Sequence, residues 1–424
     1  MTPGETRQPG REKMRFPLLY PLWLAVYVDI LGYSIQAPLF PAIQTLFHVD
    51  IFTVSLLLST NAIFGFICGP ILGSLSDRFG RKPLLLISEA GTMCGFLLFA
   101  FAPSIELLFL SRVIDGVFGG IYPVTRAVIG DIVPVTHRSK QMANMGLMHI
   151  IASLAGPAIG GILVERTGSL AAPGALAASL ALASIIFTAT IFKETLPYKT
   201  ATRSLSPQES TPARFQKPVS ITPDVPIRRN KVALYILAQW GMHALYFTVL
   251  VTMTSLYLQE HIGLGPELIG YFMMLSGVMR IILRFVAFEP LINKLGDKKT
   301  SMIGLSIFVA AFGITILVST WWQFLIVTIM TSFAATCARG PMNTFMSRSV
   351  SKRQQGRMQG LGNSLEKIAE IVGPIVGGSV LGAFGGAGFG AMLFTISIIP
   401  LAMSFKKVEF VEAAPEPGEL EPGD

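Results

Sequence analysis

The chain has 424 residues, of which 51% are hydrophobic and 14% charged, with a formal net charge of +8. A soluble domain usually carries about 25% charge, so an ordinary soluble protein is excluded. The basic excess sits in short segments between apolar runs, which points to membrane topology rather than to nucleic acid.

The predicted spans, in chain order, are 18–46, 52–75, 83–102, 106–132, 141–164, 172–192, 232–258, 266–292, 301–319, 323–346, 358–382 and 388–405. Each is close to the roughly 20 apolar residues that cross about 30 Å of hydrocarbon. The expected fold class is therefore an all-α membrane protein with about twelve transmembrane helices. Residues 1–16 are polar and basic, and no small-residue cleavage site follows the first apolar run, so the first span is expected to act as its own insertion signal. Residues 193–231, rich in Ser, Thr, Pro, Lys and Arg, read as a cytoplasmic linker. The expected organisation is a tail at 1–17, a six-helix bundle at 18–192, the linker, a second six-helix bundle at 232–405 and a tail at 406–424.

Charge alternates between the loops. One set carries Arg78, Arg81 and Lys82; Arg138 and Lys140; Lys294, Lys298 and Lys299; and Arg348, Lys352, Arg353 and Arg357. The tails add Arg7, Arg11, Lys13 and Arg15 at one end and Lys406 and Lys407 at the other. The opposite loops, near 48–50, 103–106, 259–267, 320–322 and 385–388, are almost free of basic residues, with Arg166 the main exception. By the positive-inside rule both termini are cytoplasmic. Gly156-Pro157-Ala158-Ile159-Gly160-Gly161 recurs as Gly373-Pro374-Ile375-Val376-Gly377-Gly378, and Leu295-Gly296-Asp297-Lys298-Lys299 echoes the loop at 73–82. Equivalent positions in two halves of the same orientation imply a parallel six-plus-six repeat.

Between the second and third spans the chain reads Gly73-Ser74-Leu75-Ser76-Asp77-Arg78-Phe79-Gly80-Arg81-Lys82. Glycines at 73 and 80 allow a tight turn and close helix approach, and the basic residues hold the loop in the cytoplasm. This segment resembles the loop joining helices 2 and 3 in the major facilitator superfamily. The first span, Asp29-Ile30-Leu31-Gly32-Tyr33-Ser34-Ile35-Gln36-Ala37-Pro38-Leu39-Phe40-Pro41, resembles helix 1 of the drug/proton antiporters of that superfamily. The twelve-helix branch that includes tetracycline exporters is the nearest pattern. The fourth span, with Arg112, Asp115, Gly116, Gly119 and Gly120, is similar to the helix 4 motif, whose arginine the family uses to tune or relay protons. Asp115 stands where the family more often has glutamine. The Gly-Pro-x-x-Gly-Gly segment is similar to the helix 5 motif of antiporters.

The resemblance implies a gating cluster of Gly73, Asp77, Arg78, Gly80, Arg81 and Lys82, with Asp131 as the partner of Arg81. It implies proton coupling through Asp29, Arg112 and Asp115. A carboxylate at membrane depth costs on the order of 3 kcal/mol on insertion scales, and a carboxyl in an apolar medium favours its neutral form. Asp29 is thus placed to load and release a proton, with a helix-end cap or packing role as the plain alternative. Glu370 is a further proton-coupling candidate.

Three sets come from the residues alone. Arg280 and Arg284 are one turn apart in the eighth span and share a face, and two cations there need acids or an anionic substrate. Glu366 and Glu370 share a face of the eleventh span beside Lys367, and an internal salt-bridge network between these sets is the expectation. Gln36, Gln239, His243 and Tyr246 are candidates for the cavity wall, with helix packing as the alternative.

The expected function is secondary active transport of a small molecule by alternating access: proton-coupled efflux of a drug-like or lipophilic organic compound. The alternative is uptake or exchange of an organic anion or metabolite, which Arg280 and Arg284 suit. No clustered metal or nucleophile set suggests an enzyme. The three cysteines, Cys68, Cys94 and Cys337, lie in apolar runs, and the five histidines show no ligand spacing, so no metal or cofactor is expected. The expected partners are a small-molecule substrate, protons and the lipid bilayer, with no nucleic acid, in a chain that functions as a monomer. The expected location is a multi-pass position in a membrane, the cell membrane before others.

Overall fold

The computed structural model describes residues 19–196 and 226–406. The tail at 1–17, most of the linker and most of the tail at 406–424 lie outside the described residues, and with them Arg7, Arg11, Lys13, Arg15 and Lys407.

The helices are α1 (Tyr20–Ile35), α2 (Phe40–Phe47), α3 (Ile51–Phe79), α4 (Arg81–Ala100), α5 (Ile105–Phe118), α6 (Ile121–Ile132), α7 (Val135–Thr167), α8 (Ala171–Ile191), α9 (Lys231–Tyr257), α10 (Pro266–Leu283), α11 (Glu289–Thr315), α12 (Trp321–Arg348) and α13 (Gln355–Ser404). The protein is all-α among the described residues. Ten stretches are long and apolar enough to cross a membrane. Two of them, Pro266–Thr315 and Gln355–Ser404, run for 50 residues each. Both contain a glycine that leaves helical geometry, Gly296 (φ 73°, ψ 173°) and Gly385 (φ 65°, ψ −166°). Left-handed φ values cost a residue with a Cβ but not glycine, so these are the sites where the chain can reverse.

Local chemistry sets the other breaks. The first span bends at a 3₁₀ turn, Ala37–Leu39, where prolines 38 and 41 cannot donate to the helix ladder. The fourth span breaks at Gly119 and Gly120, between α5 and α6. Asp50 starts α3 by accepting the Thr53 amide at 3.0 Å. Hydrogen bonding from the Thr53 side chain, and then from its amide, holds the Asp50 carboxyl below its usual value.

Large apolar side chains cover the outside, among them Ile67, Ile71, Ile87, Ile186, Val286 and Phe384. Such a surface is unfavourable in water and natural in lipid, where only the backbone needs internal partners. Helices α1 to α8 pack chiefly among themselves, as do α9 to α13. The two groups meet along α7 with α10 and along α3 with α13.

Candidate functional site

Arg81 opens α4 directly after Gly80, whose φ of 107° makes the turn out of α3. Its side chain is only 2% exposed, yet each of its three nitrogens finds an oxygen. Nε donates to Asp131 at 2.9 Å, one terminal nitrogen to Asp77 and the other to the Ser76 hydroxyl. Asp131 is 4% exposed and Asp77 64% exposed, so the cluster reaches from the protein interior to its surface. The contact between Arg81 and Asp131 that the resemblance implied is thus present. Lys82 donates to the Ala189 carbonyl at 2.7 Å, and the exposed Arg78 stands over the Phe79 ring. Gly73 is not part of the turn. Because α3 continues to Phe79, Gly73 lies inside a helix with open space where its Cβ would be, so the close approach expected there is absent.

Glu194 completes this site and was not singled out from the sequence, which placed it in the linker. Its carboxylate accepts the amides of Arg81 and Lys82, at 2.9 and 3.0 Å, and those of Thr195 and Leu196. Partial burial disfavours the charge, but these four amides outweigh it and hold the carboxyl below its ordinary value. A Cβ at Gly80 would lie 2.6 Å from a Glu194 oxygen, so the glycine is needed for the clasp as well as for the turn. The available sequence signal was an acid immediately beyond a span and opposite a basic loop.

Deeper in the N-terminal helices, Arg112 and Asp115 of α5 form a buried pair at 3.4 Å, and Asn61 of α3 donates to the same Asp115 oxygen at 2.9 Å. The Arg112 guanidinium also lies 4.9 Å from the centre of the Phe99 ring. Asp29 of α1 makes no hydrogen bond or ion pair among the described residues, and the charges of Asp115 and Glu89 act on it. Glu89, 2% exposed on α4, also escaped the sequence reading, although an acid amid the apolar run 83–102 was its signal. Gln36 is buried with neither amide atom hydrogen-bonded.

The C-terminal helices correct the expected network. Glu366 pairs with Arg339 at 2.6 Å, and Glu370 pairs with its helix neighbour Lys367. Neither acid reaches Arg280 or Arg284. Arg284 is exposed in a π turn, Arg284–Phe288, and among the described residues Arg280 donates only to the hydroxyl and carbonyl of Ser276. Arg339, missed in the sequence although it is a cation inside the 323–346 run, took the acid that the network needed. Its guanidinium also stands over the rings of Trp240 and Phe247. Arg280 instead lines a cavity with Phe247, Phe272, Phe324, Thr254 and Thr328. Gln239, His243 and Tyr246 are not on that wall. Gln239 donates to the Pro400 carbonyl, and His243 and Tyr246 share a 2.6 Å hydrogen bond within an aromatic cluster with Phe308 and Phe312. Facing into the helix group, they pack rather than line.

The two Gly-Pro-x-x-Gly-Gly segments occupy matching places. Gly156 and Gly160 of α7 lie against Ser34 and Ile35 of α1, and Gly373 and Gly377 of α13 against Val249 and Met253 of α9. The last glycine of each touches the other group, Gly161 at the Pro266 carbonyl and Gly378 at Ser55. Pro157 and Pro374 lie inside their helices. Gln44 donates to Glu260 at 2.8 Å and Ser59 to the Ile371 carbonyl at 2.8 Å, adding to the same seam. It lies towards the ends of α1, α7 and α9 that are remote from the Arg81 turn.

A family model described as Major Facilitator Superfamily matches residues 22–288 and 282–422. The chain is 25% identical over 336 residues to the tetracycline resistance protein, class H, of Pasteurella multocida, covering 78% of this chain and 81% of the relative. It is 24% identical over 334 residues to multidrug resistance protein 2 of Bacillus subtilis (strain 168), covering 78% and 80%. Among solved structures, the peptide transporter POT in complex with sulfate has a TM-score of 0.73 at 15% identity, over 93% of this chain and 96% of that one. The human organic anion transporter MFSD10 has a TM-score of 0.64 at 20% identity, over 94% and 100%. These two likenesses speak for the fold alone. The chain belongs to the Major Facilitator Superfamily, and it is an integral, multi-pass membrane transporter.

Proposed function

We propose that this transporter exports a drug-like or lipophilic organic compound in exchange for protons, by alternating access. The observation that carries the reading is Asp29, a carboxyl within a membrane-length stretch that has no ion-pair partner among the described residues. An unpaired carboxylate is too costly to keep at such depth without a proton to neutralise it. The tetracycline and multidrug resistance relatives support efflux as the direction.

Cutting the two 50-residue stretches at Gly296 and Gly385 counts twelve spans, and the matching glycine contacts of α7 and α13 support a parallel six-plus-six repeat. With the basic loops in the cytoplasm, both termini are cytoplasmic and the seam at Gly161 and Gly378 closes the outer face. The cluster of Asp77, Arg81 and Asp131 then serves as a latch at the inner face. The transporter works as a monomer in the cell membrane. Reconstituted into proteoliposomes, it should move tetracycline against its gradient when a pH gradient is imposed, and Asp29→Asn should abolish that movement. Uptake that ignores the pH gradient in the unmodified protein would remove proton coupling.

A second reading, transport of an organic anion, rests on Arg280. Its guanidinium faces an aromatic and hydroxyl-lined cavity and has no carboxylate partner among the described residues. Competition by an aromatic carboxylate, measured in the same vesicles, separates the two cargo classes.

A further inference from the structure

Glu89 is a buried acid that the reading above does not use. Its Oε1 accepts hydrogen bonds from the hydroxyls of Ser184 and Thr188 on α8, at 2.8 and 2.9 Å. Its Oε2 is fully buried and has no hydrogen-bond partner. The carboxyl borders a small cavity that Asp29 lines from α1, Thr92 and Phe96 from α4 and Ser184 from α8. The Thr92 hydroxyl is likewise buried without a partner.

The charges around the cavity do not balance. Helix α1 presents Asp29, and α5 presents Asp115 with Arg112, whose Nη1 pairs with Asp115 beside the Phe99 ring while its Nη2 is buried without a hydrogen-bond partner; neither α5 residue lines the cavity. Helix α8 offers only hydroxyls, and α6 only Ile121. Two carboxyls therefore share one small, mostly apolar cavity with no cation among its lining residues, and both cannot be ionised there. A bare carboxylate oxygen in such a place forfeits a hydrogen bond, whereas a protonated one becomes a donor.

We propose that the Asp29–Glu89 cavity is a proton-binding site in which Glu89 Oε2 is the resident proton carrier and Asp29, the more exposed of the two, is its exchange partner with water. Loading forms one O–H bond on Glu89 from a solvent proton passed through Asp29, and unloading returns that proton by the same carboxyl. A metal cation suits the cavity poorly, because Ser184 is already committed to Glu89 and the remaining wall includes Ala25, Val28 and Phe96. The role of this site in transport rests on the proton-coupled reading, but its protonation does not.

The two are tested apart. Infrared difference spectra of the full-length protein in proteoliposomes, taken between acid and alkaline buffer, should contain a protonated-carboxyl band that Glu89→Gln removes. Ser184→Ala, which keeps the carboxyl and deletes one donor, should shift that band and shows the effect in a protein whose carboxyls are intact. Spectra of Glu89→Gln and of Ser184→Ala that both match the unmodified protein would overturn the proposal. So would loss of the band on replacing choline chloride with sodium chloride, which would make the occupant a metal cation. The expected transport result is that Glu89→Gln loses tetracycline movement driven by a pH gradient and that Glu89→Asp retains part of it. If the unmodified protein shows the band but no proton-driven transport, the proton-coupled reading fails while the site stands.

Discussion

Arg81 and Asp131 are joined by a 2.9 Å hydrogen bond between two side chains that are 2% and 4% exposed. Removing one partner of such a pair leaves the other charge buried, at a typical cost of about 3–5 kcal/mol. Arg81→Ala should therefore lower the melting temperature in detergent sharply, while Asp77→Asn, at the exposed end of the cluster, should not. If the cluster is a latch, Asp77→Asn should still bind substrate and yet transport slowly, because a surface charge biases the equilibrium between states and does not touch cargo. Normal turnover by Asp77→Asn would leave the cluster a purely structural role.

The Glu194 clasp makes a prediction in pH. Its carboxyl lies below the ordinary value, so its contribution is present above the unfolded value and is lost as pH falls through the folded one. Unmodified protein should thus lose thermal stability on acidification below the usual glutamate range, and Glu194→Gln should lose less over the same interval. At neutral pH, Glu194→Ala should cost about 1 kcal/mol, as for a helix cap. Parallel acid melting curves for the two proteins would contradict the clasp.

Among the described residues Arg280 has no acid to strand. Arg280→Ala should fold with an unchanged melting temperature and lose affinity for anionic compounds only, by about tenfold or more if a charge-assisted hydrogen bond of 1.5–3 kcal/mol is lost. Equal weakening for neutral and anionic compounds, measured by ligand-induced thermal shift, would make it a packing residue.

At Gly161 even a methyl group would overlap the Pro266 carbonyl. Gly161→Leu should wedge α7 from α10 and open that face. A cysteine placed at Gln44, in a background without the native thiols, should then react faster with an impermeant maleimide. Unchanged labelling would place the seam elsewhere.

Much of this was legible in the residues. The apolar runs marked nearly every helix, since the length needed to cross lipid is set by the bilayer, and the resemblance carried by the charged turn after α3 implied the partner of Asp131. What escaped was pairing at a distance. Arg339 and Glu366 are 27 positions apart on different helices, and only their packing shows that Glu366 is unavailable to Arg280. Glu194 was assigned to a linker because polarity marks exposed chain, whereas its contacts to the amides of Arg81 and Lys82 form only once α4 and the end of α8 lie side by side. Gln239, His243 and Tyr246 looked like a polar wall because a helix face in one dimension does not reveal whether it turns towards a cavity or towards its neighbours.

The seam brings backbone and a small side chain together, the Pro266 carbonyl at Gly161 and Ser55 at Gly378. The opposite face is held by a guanidinium between two carboxylates, one of them open to solvent. Dissolved salt screens the solvent-open Asp77 contact and hardly affects either the buried Arg81–Asp131 pair or the glycine seam. Ionic strength is thus a one-sided lever on this molecule: raising it should weaken the Asp77 half of the charged end and leave the glycine end shut, biasing the cycle modestly towards one orientation without a mutation or a ligand.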